Sequence, residues 1–274
     1  MPEGHTIHAA ARDQMRDLGG APVAVTSPQG RSADTAAELD GLVLRRIDAH
    51  GKHLLYRFAP ATEGRVRKAD QRTLHVHLGL FGKFFRQASP PRDPTGQKRL
   101  RMVGEAWTID LSGATICELL PPPVEAKLLA RLGPDPLRRD GDPALFLAAL
   151  SRRKISIAEA LMDQSVVAGI GNVYRAEALH AERMHPHRAA NSLSEDEGLA
   201  LWVRMQAQLK QGLGDGMIVT IPDAPRTSAA RRRIPRAKGK CVYKRVRCYT
   251  CGGPVSSEPL AGRTLWWCPH DQPV

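Results

Sequence analysis

The chain changes character once, near a run of three prolines, and that change restricts its fold more than any other feature. Between about 22 and 120 the apolar residues come in short strand-like runs separated by Gly, Pro and Asp. They include Leu42-Val43-Leu44, Leu54-Leu55-Tyr56-Arg57-Phe58, Leu74-His75-Val76-His77-Leu78, Gly82-Lys83-Phe84-Phe85 and Ala114-Thr115-Ile116-Cys117-Glu118. Beyond Pro121-Pro122-Pro123 the spacing becomes helical, over 143–150, 156–164 with Ser156 at the N-cap, 172–183 and 194–212. Strands gathered first and helices gathered after exclude a βα alternation and predict an α+β protein. A further helix is expected over 5–18, where Ile7, Ala10, Ala11, Met15 and Leu18 share one face and Gly19-Gly20 stops it. The expected organisation is an N-terminal helix packed on a β-sandwich over 1–122, a helical domain over 123–225 and a small terminal module over 226–274.

The charge balance points to a polyanion. Forty Lys and Arg against 28 Asp and Glu leave a net charge of +12 on 274 residues, which favours nucleic acid or an anionic membrane surface. Neither a lipidation motif nor a basic amphipathic helix is apparent, and there is no long apolar run or signal pattern. Nucleic acid is therefore preferred, with no membrane association and a cytoplasmic, nucleoid-associated location. The stretch 226–247 concentrates ten Arg or Lys with no acidic residue. Such a segment is expected to be a solvated, disordered loop that orders on a phosphate backbone.

Four of the five cysteines lie between Cys241 and Cys268, which in an intracellular chain argues for a metal site before a disulfide framework. Cys248 and Cys251 form one knuckle, and sixteen residues, 252–267, separate it from Cys268. That spacing suits two knuckles joined by a β-hairpin around one structural Zn2+. Asp271 stands in register for the fourth ligand, while the adjacent His270 is chemically the commoner one. Both are candidates, with loss of zinc or recruitment of Cys241 as lesser alternatives. Cys241 by itself reads as a small buried residue.

Two further segments carry chemistry. Pro2 follows the initiator methionine, and a small residue there favours removal of that methionine. The exposed proline would hold a free secondary amine, able to add to an aldehyde-like sugar carbon and give an iminium ion. An ordinary terminal amine titrates near ~8, which leaves a useful neutral fraction. Glu3 brings a carboxyl group to the same place for proton transfer. The bland alternative is a simple helix start, where both residue types are favoured. The second segment is the turn holding Gly169 and Gly171 before a helix that opens at Asn172. Free backbone N–H groups, the side-chain amide and the helix dipole there make a ready phosphate site, unless Asn172 merely caps its own helix.

Gly169-Ile170-Gly171-Asn172-Val173-Tyr174-Arg175-Ala176-Glu177-Ala178-Leu179, after Leu161-Met162-Asp163-Gln164, resembles the helix–two-turn–helix signature of the Fpg/Nei family of DNA glycosylases. Pro2-Glu3-Gly4-His5-Thr6 resembles the start of its endonuclease VIII branch. Gly51-Lys52-His53-Leu54-Leu55, His77-Leu78-Gly79-Leu80-Phe81-Gly82 and the terminal cysteines match in the expected order, so the resemblance spans essentially the whole chain.

The resemblance implies a bifunctional DNA glycosylase/AP lyase that excises oxidised bases, pyrimidines preferred. Pro2 would be its nucleophile, Glu3 its proton donor, and Lys52 a phosphate contact that assists the chemistry. It implies damaged DNA as partner to a monomer, with Asn172 and Arg263 as DNA-binding residues and Leu80 and Phe81 filling the gap left by a flipped nucleotide. The family's metal pattern is Cys-x2-Cys-x16-Cys-x2-Cys, from which this chain departs at Asp271. The Gly79-Leu80 loop lies nearer the Fpg branch, which keeps an oxidised-purine preference open. A damaged-DNA-binding protein without catalysis is the alternative outside the enzyme class.

Overall fold

The computed structural model describes residues 2–62 and 67–274, so Met1 lies outside the described residues. These group into two compact units, Ile7–Ala130 with Pro2, and Arg131–Val274 with Glu3–Thr6.

In chain order the first unit carries α1 (Gly4–Leu18, its first turn counted with the second unit), β1 (Ala24–Thr26), α2 (Ala33–Leu39), β2 (Val43–His50) and β3 (His53–Ala59). It continues with β4 (Arg72–His77), β5 (Lys83–Ala88), β6 (Leu100–Val103), β7 (Trp107–Ser112), β8 (Ile116–Leu119) and α3 (Pro122–Ala130). The strands form two antiparallel four-stranded sheets, ordered β1-β6-β7-β5 and β2-β3-β4-β8. Alternation along the strands sends Leu54, Tyr56, Leu74 and Val76 from one sheet and Val25, Leu100, Met102, Ile109 and Leu111 from the other into one core. Ile7, Ala11 and Leu18 of α1 join it, and Tyr56 inside it donates its hydroxyl to Gln14 Oε1 at 2.7 Å.

Two helices here escaped the sequence reading. α2 is seven residues long, too short for a periodic signal. The proline run does not end the first unit, because Pro122 opens α3, as a residue without an N–H can. Leu128 of α3 then packs with Leu55 and Leu120.

The second unit holds α4 (Pro143–Ser151), α5 (Ile157–Ala160), α6 (Asn172–Ala181), α7 (Glu195–Asp215), α8 (Ser228–Arg231) and the hairpin β9 (Ser256–Leu260) and β10 (Arg263–Trp267). Ser156 and Ser194 close full capping boxes with Glu159 and Glu197. α5 is shorter than the expected 156–164 because its bonding tightens after Ala160, where Met162 and Asp163 N–H reach back only three residues to Glu159 and Ala160 C=O, and the Gln164 side chain then binds Gly169 N–H and Ile170 C=O. Phe146, Leu150, Ile157, Tyr174, Leu179, Leu201, Trp202 and Leu209 make the helical core, and Leu265 of β10 enters it.

Candidate active site and metal centre

The N-terminus of α6 holds an anion, and the anion is internal. Glu3 is fully buried, and its carboxylate receives the N–H groups of Gly171, Val173 and Tyr174 at 3.1, 2.8 and 3.3 Å. These donors and the helix dipole stabilise negative charge there. The backbone phosphate cradle expected at this turn is thus occupied by the chain's own carboxylate. A Cβ on Gly171 would lie 2.5 Å from Glu3 Cδ, so glycine is what lets the carboxylate in. Gly4 N–H donates to Gly169 C=O at 2.8 Å, alongside. Glu3's side chain reaches α6, whereas a simple start of α1 would leave it at the head of its own helix. Pro2 is half-buried. Beside Glu3 the imidazole of His5 is buried, which lowers its pKa to about 4, and it meets the Tyr174 ring edge-on.

Asn172 does not cap its helix. It is buried, and its amide donates to Thr264 C=O of β10 at 2.9 Å while its oxygen accepts from Arg175 Nη2. The ring of Tyr243 lies 4.7 Å from that of Trp266. Arg175 is buried beneath this layer, its Nε and Nη1 without a hydrogen-bond partner among the described residues. Burial lowers its pKa to about 10. Arg263, half-buried, begins β10 directly after the turn residues Ala261 and Gly262, both at positive φ (49° and 71°).

A second internal carboxylate orders the basic segment. Glu177 of α6 accepts the N–H groups of Cys241, Val242 and Tyr243 at 2.7, 3.0 and 2.8 Å, and the Thr220 hydroxyl. Asp215 of α7 pairs with Arg231, which forms the end of α8. The expected disordered loop is therefore a structured segment in the described chain. Its own sequence lacks acids, but two carboxylates from distant helices supply them.

Cys248, Cys251, Cys268 and Asp271 bring three sulfurs and one carboxylate oxygen within 4.8 Å of one another, and these four could hold a metal ion. Cys251 Sγ and Cys268 Sγ are 3.4 Å apart, and Cys248 Sγ lies 3.2 Å from Asp271 Oδ2. A tetrahedral zinc with ~2.3 Å bonds to sulfur sets ligand separations of about 3.8 Å, so this donor set fits such an ion after small adjustments. Backbone N–H groups of Gly253 and Asp271 point at Cys251 and Cys268 sulfurs at 3.4 Å each. Burial pushes the Cys248 thiol up to about 12, so a bound cation would be what draws out its thiolate. His270 stands outside the group, its side chain 76% exposed and its Nδ1 3.2 Å from Asp271 Oδ1. Cys241 is outside it too, its thiol pushed up to about 12 by burial and then by Glu177.

In the first unit Lys52 is half-buried between β2 and β3. After burial, its charge is the next cause of the lowered pKa of His77, a histidine whose ring lies 4.9 Å from that of His53. Leu80 and Phe81 are 42% and 80% exposed. Apolar residues between glycines are normally core residues, and these two are presented outward. Sequence reasoning passed over Tyr243, Arg175, Glu177 and His180. Glu177 and His180 at i,i+3 share a face of α6, but nothing in their local sequence tells what that face meets.

This fold belongs to a class. Residues 1–112 match the formamidopyrimidine-DNA glycosylase N-terminal domain, and 132–223 match the formamidopyrimidine-DNA glycosylase H2TH domain. The chain belongs to the Fpg/Nei family of DNA glycosylases. Endonuclease 8 1 of Mycobacterium tuberculosis is 40% identical to it over 287 aligned positions, covering 98% of both chains. Formamidopyrimidine-DNA glycosylase of Prochlorococcus marinus is 28% identical over 85% of this chain and 84% of its own. Among solved structures, Lactococcus lactis formamidopyrimidine-DNA glycosylase bound non-covalently to AP-site DNA superposes with a TM-score of 0.77. That match is 22% identical and covers 99% of this chain and all of the other, so it speaks for the fold. Among the described residues no helix is long and apolar enough to cross a membrane.

Proposed function

We propose that this glycosylase excises oxidised bases, pyrimidines preferred, and also cleaves the strand as an AP lyase, with Pro2 as the nucleophile. The basic surface neutralises phosphates and gives sequence-independent affinity. The damaged nucleotide is extruded, because its reactive sugar carbon is inaccessible in the stack. Glu3 takes a proton from the Pro2 amine. The freed nitrogen pair attacks C1′, the C1′–base bond breaks with its electrons on the base, which leaves with the remaining N–H proton of Pro2, and Glu3 returns the first proton to the ring oxygen as the nitrogen pair forms C1′=N+ and the C1′–O bond opens. The iminium then acidifies the C2′ proton, so β-elimination expels the 3′ phosphate and δ-elimination the 5′ phosphate. In this reading Lys52 and Arg263 hold the backbone, and Leu80 and Phe81 fill the vacated stack, while Asn172, expected to bind DNA, is buried and instead ties α6 to β10 through Thr264. Cys248, Cys251, Cys268 and Asp271 would hold one structural Zn2+, stapling the hairpin that carries Arg263.

The observation that carries this reading is Glu3. A fully buried carboxylate tied to three N–H groups of α6 anchors the residue next to Pro2 far more firmly than a helix start requires. Borohydride trapping of methionine-processed protein on DNA with one abasic site tests it. A covalent adduct is expected, and it should vanish in Pro2→Gly and in protein that retains Met1, where the nitrogen is an amide. No adduct with correctly processed wild type would favour a DNA-binding protein without catalysis. The outward Leu80-Phe81 pair beside Gly79 supports a second substrate reading, oxidised purines, and excision from oligonucleotides with one lesion of either kind decides between them. The chain is proposed to act as a monomer.

A further inference from the structure

His180 lies near the C-terminal end of α6, and its side chain is 6% exposed. Its Nε2 is 3.2 Å from Asp271 Oδ2 and 3.3 Å from Cys248 Sγ. It is nevertheless outside the set of four atoms that lie mutually within 4.8 Å. The nitrogen thus contacts both the carboxylate and the Cys248 sulfur without being one of the four. His180 and Asp271 together line a cleft of about 480 Å3 that also borders Cys241 and Thr250.

A carboxylate in a site otherwise made of thiolates has a particular weakness. It carries a second oxygen and swings about its own bond, so it needs an outside donor to fix which oxygen faces the ion. We propose that His180 is this donor: a positioning residue that holds Asp271 as the fourth ligand of a Cys3Asp metal site, through an Nε2–H···Oδ2 bond. This rests on the metal-centre part of the proposed function and adds a residue from a different element. A thiolate in place of Asp271 would have no such need. The arrangement also ties the metal site to α6, the helix whose opposite end receives Glu3.

The experiment measures metal binding alone, by competing full-length protein loaded with Zn2+ against a chromophoric chelator and recording the visible spectrum of the Co2+ form. His180→Phe keeps the volume and removes the donor. It should weaken Zn2+ binding about 10- to 100-fold and leave the Co2+ band positions unchanged. His180→Gln keeps a donor and should recover most of the affinity. In the Asp271→Cys background His180→Phe should change affinity by less than about threefold, because the bond it removes is gone. Equal losses in both backgrounds would mean that His180 only packs. A changed Co2+ spectrum in His180→Phe would make it a direct ligand, and an unchanged affinity would deny it any part. Each of these overturns the proposal while leaving the metal site standing. Wild type that takes up neither ion would refute the metal site, and this role with it.

Discussion

Glu177→Gln should release the basic segment without unfolding the protein. The glutamine oxygen can still accept from Val242 and Tyr243, which share one carboxylate oxygen. The new NH2, however, faces the Cys241 N–H and the Thr220 hydroxyl, bound to the other oxygen. Hydrogen bonds to a charged group contribute about 1.5–3 kcal/mol each, and a buried donor left unpaired costs a similar amount. One charged bond lost and two weakened come to about 4 kcal/mol, which is roughly a 10³-fold rise in the open population at 25 °C. Limited trypsin digestion reads this directly at the bond after Lys240, since Cys241 and Val242 are buried in the closed form. When opening and closing outpace cleavage, the cutting rate follows the open population. Mass spectrometry should find that cut accelerated at least 100-fold in Glu177→Gln, and not in the exposed control Glu195→Gln. Wild type cut there as fast as the variant would mean that the segment is free, as its ten basic residues and lack of acids suggest by themselves.

Three shorter expectations accompany it. Because burial holds His5 neutral down to about 4, against an ordinary 6.5, the native state binds fewer protons than the unfolded chain between these values. Its contribution, about 3 kcal/mol at most, is whole above pH 6.5 and lost as pH falls towards 4. Denaturant melts at several pH values should show this slope in wild type and lose it in His5→Asn; parallel curves would remove His5 as the cause. Gly171→Ala should cost about 3 kcal/mol and depress borohydride trapping, since its methyl meets the Glu3 carboxyl; an unchanged Tm would show that Glu3 is not held as described. Phe81→Ala should move stability by under about 0.5 kcal/mol, because that ring is mostly exposed, yet slow lesion excision; equal excision rates would deny it a part in filling the stack.

What could be read from the sequence was what short-range physics determines. α4, α6 and α7 announce themselves by apolar spacing, α5 by its Ser156 cap, and the cysteine spacing points to the metal group. α2 and α3 were hidden, one by brevity and the other by prolines that serve equally as breakers and as helix openers. The turn before Asn172 was legible as an anion site, but which anion was not, because Glu3 lies at the other end of the sequence. The order of the basic segment was hidden for the same reason: its countercharges, Glu177 and Asp215, belong to α6 and α7. Nothing local marks His180 as a neighbour of Asp271.

The partners of Glu3 stand 168 to 171 positions downstream. A ribosome adding about 5–20 residues per second therefore leaves the leading residues without their anchor for roughly 10–30 s. Once α6 emerges, Glu3 gains its three N–H donors, so the contact that fixes the start of the described chain is among the last that synthesis makes possible.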